Sequence, residues 1–256
     1  MKYCLILFLI NFSILSMAQP NKPTSGLYKW NDLIAKSGDH RVGRQLMEGS
    51  TQLFEYFEVH ATTQEKGAMP RPPHAQEAIE EIMIVTEGTL RFTMDDEQSV
   101  LSAGSVICIP PHAMQALQNI GDGPLTYFVL MYRSKSPMDV DRNNKNGNKR
   151  FYNIDSLTSI PNAKGSRTAY FDKATAQCTH AELHTTFLNH KGPSHDAHYH
   201  DDMELILITR GHVTVDIAGK EYTGGANDLI LIESNLVHQV MNAADLECAY
   251  FAVRLK

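Results

Sequence analysis

Three histidines and one glutamate near the end of the chain have the spacing of a metal site. His198 and His200 are two apart, and residues two apart on a β-strand point to the same face, so both imidazoles can reach one ion. Glu204 directly precedes an apolar run over 205–208 that is typical of a buried strand, and His238 comes later. This ligand set suits a divalent transition metal (Mn, Fe, Zn or Ni) and leaves positions open for water or substrate.

A second set of ligand-type residues lies 123 or 124 positions earlier. Its four members are His74, Gln76, Glu81 and Gln115. Two imidazoles of the later set are therefore replaced by glutamine amides, which are neutral and weaker donors to borderline metals. We predict a metal in the later set and an empty or weak site in this degenerate one.

The residues around the later set resemble the two sequence motifs of the cupin superfamily. The first motif is a Gly, five residues, His-x-His, three or four residues, Glu, six residues and Gly. It is matched at every position by Gly192, His198, His200, Glu204 and Gly211. The second motif is matched in part, by His238 and Asn242, whereas Asn227, Glu233 and Asn235 replace its Gly, Pro and Gly. In the earlier set, the resemblance leaves glutamine open as a ligand, because ureide-processing bicupins accept it beside His and Glu.

The chain also contains a long internal repeat. Residues 58–62 are similar to residues 182–186, and residues 30–33 are similar to the segment 152–157. A repeat of this length indicates two copies of one domain rather than a solenoid of short units.

Each copy is a series of short apolar segments separated by turn residues. Examples in the first copy are residues 53–62, 82–86, 90–94, 105–109 and 126–131. Many evenly spaced strands with few helical patterns are typical of a sandwich or jelly roll, and the resemblance selects the jelly roll. We predict an all-β fold of two tandem cupin jelly-roll (double-stranded β-helix) barrels. The barrels cover 19–133, with its lead-in, and 151–256, and the polar segment 134–150 links them.

The N-terminus has the pattern of a secretory signal peptide over residues 1–18. A short positive start precedes a mostly apolar run and small residues before Gln19. We therefore predict a periplasmic or secreted protein with no stable membrane anchor after signal removal. Residues 19–28 are polar, contain two prolines and are expected to be a flexible lead-in.

Composition narrows the range of partners. The formal net charge is -6 and no basic run occurs, so nucleic acid is not an expected partner, whereas a homodimer is compatible with the sequence. Cys108, Cys178 and Cys248 remain after signal removal. Three buried thiols, or a Cys178–Cys248 disulfide in an oxidising compartment, both fit this odd count.

The sequence supports two functional hypotheses. One is a metalloenzyme for a small-molecule substrate, of the dioxygenase, isomerase, decarboxylase or ureide aminohydrolase type found among cupins. The alternative is a non-catalytic cupin that binds a small-molecule or carbohydrate ligand. No clear acid or base accompanies the metal set; His184, Asp196 and Asp202 are weak catalytic candidates.

Overall fold

The computed structural model describes residues 21–145 and 149–256. The predicted signal peptide over 1–18 lies outside the described residues. Across the two described ranges, no helix has both the length and the apolar character needed to cross a membrane.

The described residues are mostly β-strand. The first half contains β1 (Gly26–Tyr28), β2 (Ala35–Gly38), β3 (Arg41–Gly49), β4 (Phe54–Gln64), β5 (Glu80–Glu87), β6 (Thr89–Met94), β7 (Glu97–Ser102), β8 (Val106–Ile109), β9 (Gln115–Asn119) and β10 (Leu125–Ser134). The second half contains β11 (Phe151–Tyr152), β12 (Ser159–Asn162), β13 (Gly165–Lys173), β14 (Ala181–Leu188), β15 (Gly192–Pro193), β16 (Met203–Arg210), β17 (Val213–Ile217), β18 (Lys220–Gly224), β19 (Leu229–Ile232), β20 (His238–Asn242) and β21 (Cys248–Leu255). The helices are α1 (Val140–Lys145) and two short 3₁₀ turns, Trp30–Asp32 and Ile154–Ser156.

These strands form two barrels, each built from a large and a small antiparallel sheet. The first barrel has the order β11-β8-β5-β10-β4-β3-β2 in its large sheet and β7-β6-β9 in its small sheet. The second has β1-β19-β16-β21-β14-β13-β12 and β15-β20-β17-β18. This arrangement confirms the predicted all-β fold of two tandem jelly rolls.

The first strand of each repeat joins the other repeat's barrel. Strand β1 pairs with β19, so that Gly26 lies opposite Leu231, and β11 pairs with β8, so that Phe151 lies opposite Ile107. The expectation of a flexible lead-in is therefore wrong for Gly26–Tyr28, which is held by the second barrel's sheet. The reciprocal exchange ties the two barrels together.

Three apolar cores stabilise the molecule. Two fill the barrel interiors, and the third and largest lies where the two large sheets meet. Alternate side chains of β5 serve different cores: Ile82 and Ile84 face the second barrel, whereas Met83 and Val85 fill the first barrel's interior. Burial on both faces explains why this strand is a continuous apolar run rather than an alternating one.

The predicted linker is partly helical and is attached to the second barrel. Helix α1 occupies Val140–Lys145, and the Arg142 side chain donates hydrogen bonds to the carbonyl oxygens of Thr175, at 2.6 Å, and Ala176, at 3.0 Å. Backbone carbonyls are good acceptors for a guanidinium. Residues 140–145 are thus more ordered than the polar composition of the linker suggests.

The three cysteines are buried free thiols. Cys108, Cys178 and Cys248 are each buried, and none of them is bridged. Of the two alternatives left by the sequence, the structure therefore has separate thiols. Burial raises the pKa of Cys108 to about 12, which keeps that thiol protonated and unreactive.

A glycine follows the strand that carries the glutamate of each ligand set, β5 in the first repeat and β16 in the second, for the same steric reason. Gly88 and Gly211 have φ of 82° and 67°, the left-handed region that other residues rarely adopt. An added Cβ would lie 2.3 Å from the carbonyl oxygen of Pro124 at Gly88, and 2.3 Å from that of Glu247 at Gly211. The turn after the strand therefore needs glycine in each barrel.

The second motif tolerates asparagine where the cupin pattern has glycine. Asn227 and Asn235 have φ of 71° and 65°. Asparagine enters the left-handed region more readily than most residues because its short amide can hydrogen-bond locally. The backbone course is therefore kept despite the two substitutions.

Candidate metal centre

The loop before β16 and the start of β20 bring three imidazoles together. The backbone N–H of His198 donates to the carbonyl of His238 at 3.1 Å, and the reverse bond is 2.8 Å. This two-residue bridge fixes His198 opposite His238 across the barrel mouth. One ring nitrogen from each of His198, His200 and His238 lies within 4.8 Å of the other two.

Backbone carbonyls set which nitrogen of each imidazole can bind a metal. Each Nδ1 lies within hydrogen-bond distance of a carbonyl oxygen two residues away. The distances are 3.2 Å from His198 to Asp196, 3.1 Å from His200 to Asp202 and 2.9 Å from His238 to Leu236. With the proton on Nδ1, the Nε2 lone pair is free to coordinate. The chain thus presents the three rings in the tautomer that an Nε2-bound metal needs.

Glu204 supplies the carboxylate on β16. Its Oε2 lies 3.1 Å from His200 Nε2 and 3.0 Å from His238 Nε2. Burial favours the neutral acid, but the two imidazoles outweigh it and hold the pKa of Glu204 well below its usual range. The carboxyl is therefore ionised, as a metal ligand must be.

The buried nitrogen of His238 fits a metal ligand. His238 is 1% exposed, and its Nε2 is buried without a well-formed hydrogen bond, with Glu204 Oε2 as a neighbour at 3.0 Å. A buried nitrogen without a partner is unfavourable unless another group binds it. Partial desolvation lowers the pKa of His198, whereas the Glu204 carboxylate outweighs burial and raises the pKa of His238. The donor set therefore fits a divalent metal.

The equivalent residues of the first barrel have the same backbone bridge but different chemistry. His74 and Gln115 exchange backbone hydrogen bonds of 3.1 and 2.7 Å, as His198 and His238 do. The Gln115 amide then donates to Glu81 Oε1 at 2.9 Å, and burial raises the pKa of Glu81. The carboxyl that would face a metal is thus satisfied by an amide.

Two of the catalytic candidates line a cavity that opens from the metal residues. This cavity has a volume of about 500 Å³ and is lined by His184 and Asp196, among others. His184 Nδ1 is 3.1 Å from Glu182, and the first barrel repeats the pair with His60 and Glu58 at 3.0 Å. A pair shared by both barrels does not depend on the metal set. Asp196 is exposed, and within the described residues its carboxylate has no hydrogen-bond partner.

Asp202, the third candidate, does not line this cavity. It is buried at 3% exposure and ion-paired with His180, at 2.6 Å, and with Arg254. These partners lower the pKa of Asp202 despite its burial. Its backbone carbonyl accepts the Nδ1 proton of His200, so Asp202 orients the ring of a candidate metal ligand.

Three cations of the cavity were not predicted from the sequence. Lys164, Arg167 and Arg254 line it together with His198 and Glu204. Arg254 is the one charged residue in the otherwise apolar strand β21, and that isolation was the available signal. Arg167 and Arg254 pair with Glu182, whereas the Lys164 ammonium donates to the backbone carbonyls of Pro193 and Ser194. Lys164 therefore adds positive charge that those neutral carbonyls leave uncompensated.

Comparison with known proteins supports this assignment of fold and family. The family model described as "Cupin domain" matches residues 59–131 and 186–254, one match in each barrel. These matches span more than half of the chain, which belongs to the cupin family and is a two-domain, or bicupin, member.

Solved structures of low identity share the architecture. An oxalate decarboxylase from Lactobacillus farciminis, in complex with formate, has a TM-score of 0.70 and 12% identity, over 91% of this chain and 86% of that chain. The protein Ylba from E. coli has a TM-score of 0.68 and 15% identity, over 94% and 95% of the two chains. AerE from Microcystis aeruginosa has a TM-score of 0.65 and 12% identity, over 88% and 98%. No curated protein matches the chain.

Proposed function

We propose that this bicupin is a metal-dependent enzyme whose active site is the C-terminal barrel. The observation that carries the proposal is the convergence of three imidazoles, each with its Nδ1 at a backbone carbonyl, beside the ionised Glu204. A divalent ion held there would supply Lewis acidity in a largely buried setting. The metal is one of Mn, Fe, Zn or Ni, each of which accepts this donor set.

The cavity favours a small anionic substrate. Lys164, which has only neutral carbonyl partners among the described residues, lines the same cavity as His198 and Glu204, and Arg167 and Arg254 add positive charge that is shared with Glu182. Asp196, which is exposed and lines this cavity, is the proposed carboxylate for proton transfer, and the contact with Glu182 holds the His184 imidazole in the same lining. A similar structure, the Lactobacillus farciminis decarboxylase, holds formate, a small carboxylate.

The enzyme proposal is tested by turnover with the metal-loaded full chain. The substrate panel contains small dicarboxylates, hydroxy acids, keto acids and ureido acids, assayed for release of carbon dioxide, ammonia or isomerised product. We expect turnover of one class, and its loss in Glu204→Ala and His238→Ala while circular dichroism stays unchanged. If both variants bind the same compound as tightly as the unmodified chain, and no metal restores turnover, the protein is a binding cupin instead.

We also propose that the protein is exported and that residues 1–18 are removed. The charged start, the apolar run and the small residues before Gln19 support this. Intact-mass measurement of protein from its own host should place the N-terminus near Gln19. A mature chain that still begins at Met1 in the cytoplasm contradicts the proposal.

A further inference from the structure

The first barrel buries an arginine that lacks a counter-ion. Arg41 is 8% exposed, and its guanidinium donates from Nη1 to the carbonyl of Asp39 at 3.0 Å and from Nη2 to that of Met69. Its Nε has no partner, and no carboxylate of the described residues lies within ion-pair distance of it. Burial of an arginine without a negative partner is unfavourable, because the charge is desolvated without compensation.

A second arginine faces the same space. Arg41 and Arg71 both line a cavity of about 250 Å³ inside the first barrel. Arg71 lies between Pro70 and Pro72, whose rings restrict the backbone of the loop, and the bond from Arg41 to Met69 ties this loop to the barrel. The two cations are therefore held at one cavity by a constrained segment.

The cavity contains further polar groups without full partners. Gln64 is 2% exposed, and its Oε1 is buried without a hydrogen bond. Its amide donates to the Tyr127 hydroxyl at 3.3 Å, which leaves the hydroxyl proton of Tyr127 free for another acceptor. The lining also includes the apolar side chains of Met83 and Val129. The cavity thus combines donors that suit an anion with apolar surface that suits a short hydrocarbon stem.

The negative charge inside this cavity is small. Glu81 is its one lining carboxyl; it accepts a hydrogen bond from Gln115, and burial raises its pKa. Glu58 lies nearby but is paired with His60 and with the Tyr56 hydroxyl. The two arginines therefore outweigh the carboxylates that could repel an anion.

The shared fold does not require an arginine at position 41. In the sheet ladders Arg41 lies opposite Gln64, and the equivalent pair of the second barrel is Gly165 opposite Leu188. The second barrel thus folds with neither polar group at these positions. Packing of the jelly roll gives no reason for the arginine in the first barrel.

We infer that the first barrel is a second, metal-independent ligand site, in which Arg41 and Arg71 bind the carboxylate of a small organic acid. A guanidinium binds a carboxylate through two parallel N–H···O bonds, and the Tyr127 hydroxyl adds a third donor. The ligand's apolar stem lies against Met83 and Val129. This site is separate from the metal residues of the second barrel.

The test is isothermal titration calorimetry of the metal-loaded full chain with butyrate, and with inorganic phosphate in parallel. We expect a saturable butyrate site that persists in Glu204→Ala, in which the second barrel's metal set is broken, so that binding in this variant reports the first barrel. Arg71→Ala and Arg41→Gln should each weaken it by about tenfold or more, as the loss of a charge-assisted bond pair predicts. Arg133→Ala is the matched control, because Arg133 pairs with Glu55 away from the cavity and should leave binding unchanged.

Three results would overturn the inference. They are unchanged butyrate binding in Arg71→Ala, absence of saturable binding in Glu204→Ala, and phosphate binding as tight as that of butyrate. Arg71 is exposed, so its variant should fold by circular dichroism even where Arg41→Gln does not, and it then decides alone.

Discussion

The two barrels share one scaffold but hold different chemistry at the same positions. In each, a pair of backbone hydrogen bonds joins a loop residue to the start of a small-sheet strand, His198 to His238 in one and His74 to Gln115 in the other. In the second barrel the facing side chains are imidazoles with free Nε2 atoms. In the first, an amide donates to the carboxyl instead.

This difference separates what the fold requires from what the metal requires. The backbone bridge and the closing glycines are present in both barrels, so they belong to the fold. The carbonyl-oriented imidazoles and the buried ion pair of Asp202 occur in the second barrel, where they serve the ligand set. The first barrel thus serves as an internal comparison that separates features of the fold from features of the ligand set in the second barrel.

The largest expected effect is the loss of metal from the second barrel. His238→Ala removes a buried donor and leaves Glu204 with one adjacent imidazole, so metal affinity should fall by more than about 100-fold, beyond the usual effect of residues that only orient a ligand. Elemental analysis of the unmodified chain should give one metal per chain, and that of the variant almost none. Gln115→Ala, the equivalent change in the first barrel, should leave the metal content unchanged.

Two metals per chain at full occupancy would contradict this comparison. Such a result would mean that Gln76 and Gln115 coordinate as well as imidazoles do. A loss of metal in Gln115→Ala would lead to the same conclusion.

The comparison can be sharpened by converting one barrel into the other. The double variant Gln76→His/Gln115→His places three imidazoles and Glu81 on the scaffold that already holds His74 opposite position 115. We expect the metal content to rise from one to two per chain, because the ligand set of the first barrel then matches that of the second. Gln118→His, on the same strand but outside the ligand set, is the control and should add none.

Most strands of the fold could be predicted because their signals are local. The segment predicted at 126–131 lies within β10 (Leu125–Ser134), and that at 205–208 lies within β16. The place of β1 could not be predicted, since three residues carry little pattern and their partner Leu229–Ile232 is about 200 positions away. Long-range pairing of so short a strand depends on tertiary packing, which no local window contains.

The clustering of the three histidines beside Glu204 could be predicted from the sequence, and the walls of the adjacent cavity could not. His198, His200 and Glu204 are close in sequence, so their spacing carries the geometry. Lys164 and Arg254 come from distant strands and meet only when the barrel closes. The carbonyl partners of the imidazoles could likewise not be predicted from the sequence, because any residue type can supply a backbone oxygen.

Another difference between the barrels lies where they touch, at the buried carboxyl of Glu80. Its position in the second repeat holds Met203, as the pairings of Glu80 with Tyr132 and of Met203 with Leu255 show. Burial is the largest influence and raises the pKa of Glu80 to about 7 from 4.5, although Thr175 and Gln177 donate hydrogen bonds to it and Lys173 and Arg142 lie near.

The stability of the fold should therefore depend on pH through Glu80. A raised carboxyl pKa means that the folded state holds the proton more tightly, so the contribution of Glu80 to stability is greatest below pH 4.5 and falls as pH rises to about 7. Because one pKa unit corresponds to about 1.4 kcal/mol, the shift from 4.5 to about 7 predicts a loss of folding free energy on the order of 3 kcal/mol. Urea unfolding of Glu80→Gln should show a smaller decline over this window. An equal decline in variant and unmodified chain would show that other groups cause it.

The smallest expected effect concerns Asp202, which has no carboxylate counterpart in the first repeat. Asp202→Asn keeps the backbone carbonyl that accepts from His200 but weakens the pairs with His180 and Arg254 that hold this segment in place. We expect metal affinity to fall by about tenfold, as is typical for a residue that orients a ligand, with the coordination number seen by X-ray absorption unchanged.

Asp201→Asn is the matched control for this change. Asp201 is the adjacent, exposed carboxylate, and it pairs with Lys256 at the surface, so its loss should leave metal affinity within about twofold, because exposed ion pairs contribute little. Equal effects of the two variants would mean that general negative charge, rather than the position of His200, sets the affinity. If metal affinity falls in Asp202→Asn alone and the coordination number is unchanged, the residues that position the ligands contribute to affinity. The two barrels then differ in these positioning residues as well as in the ligands themselves.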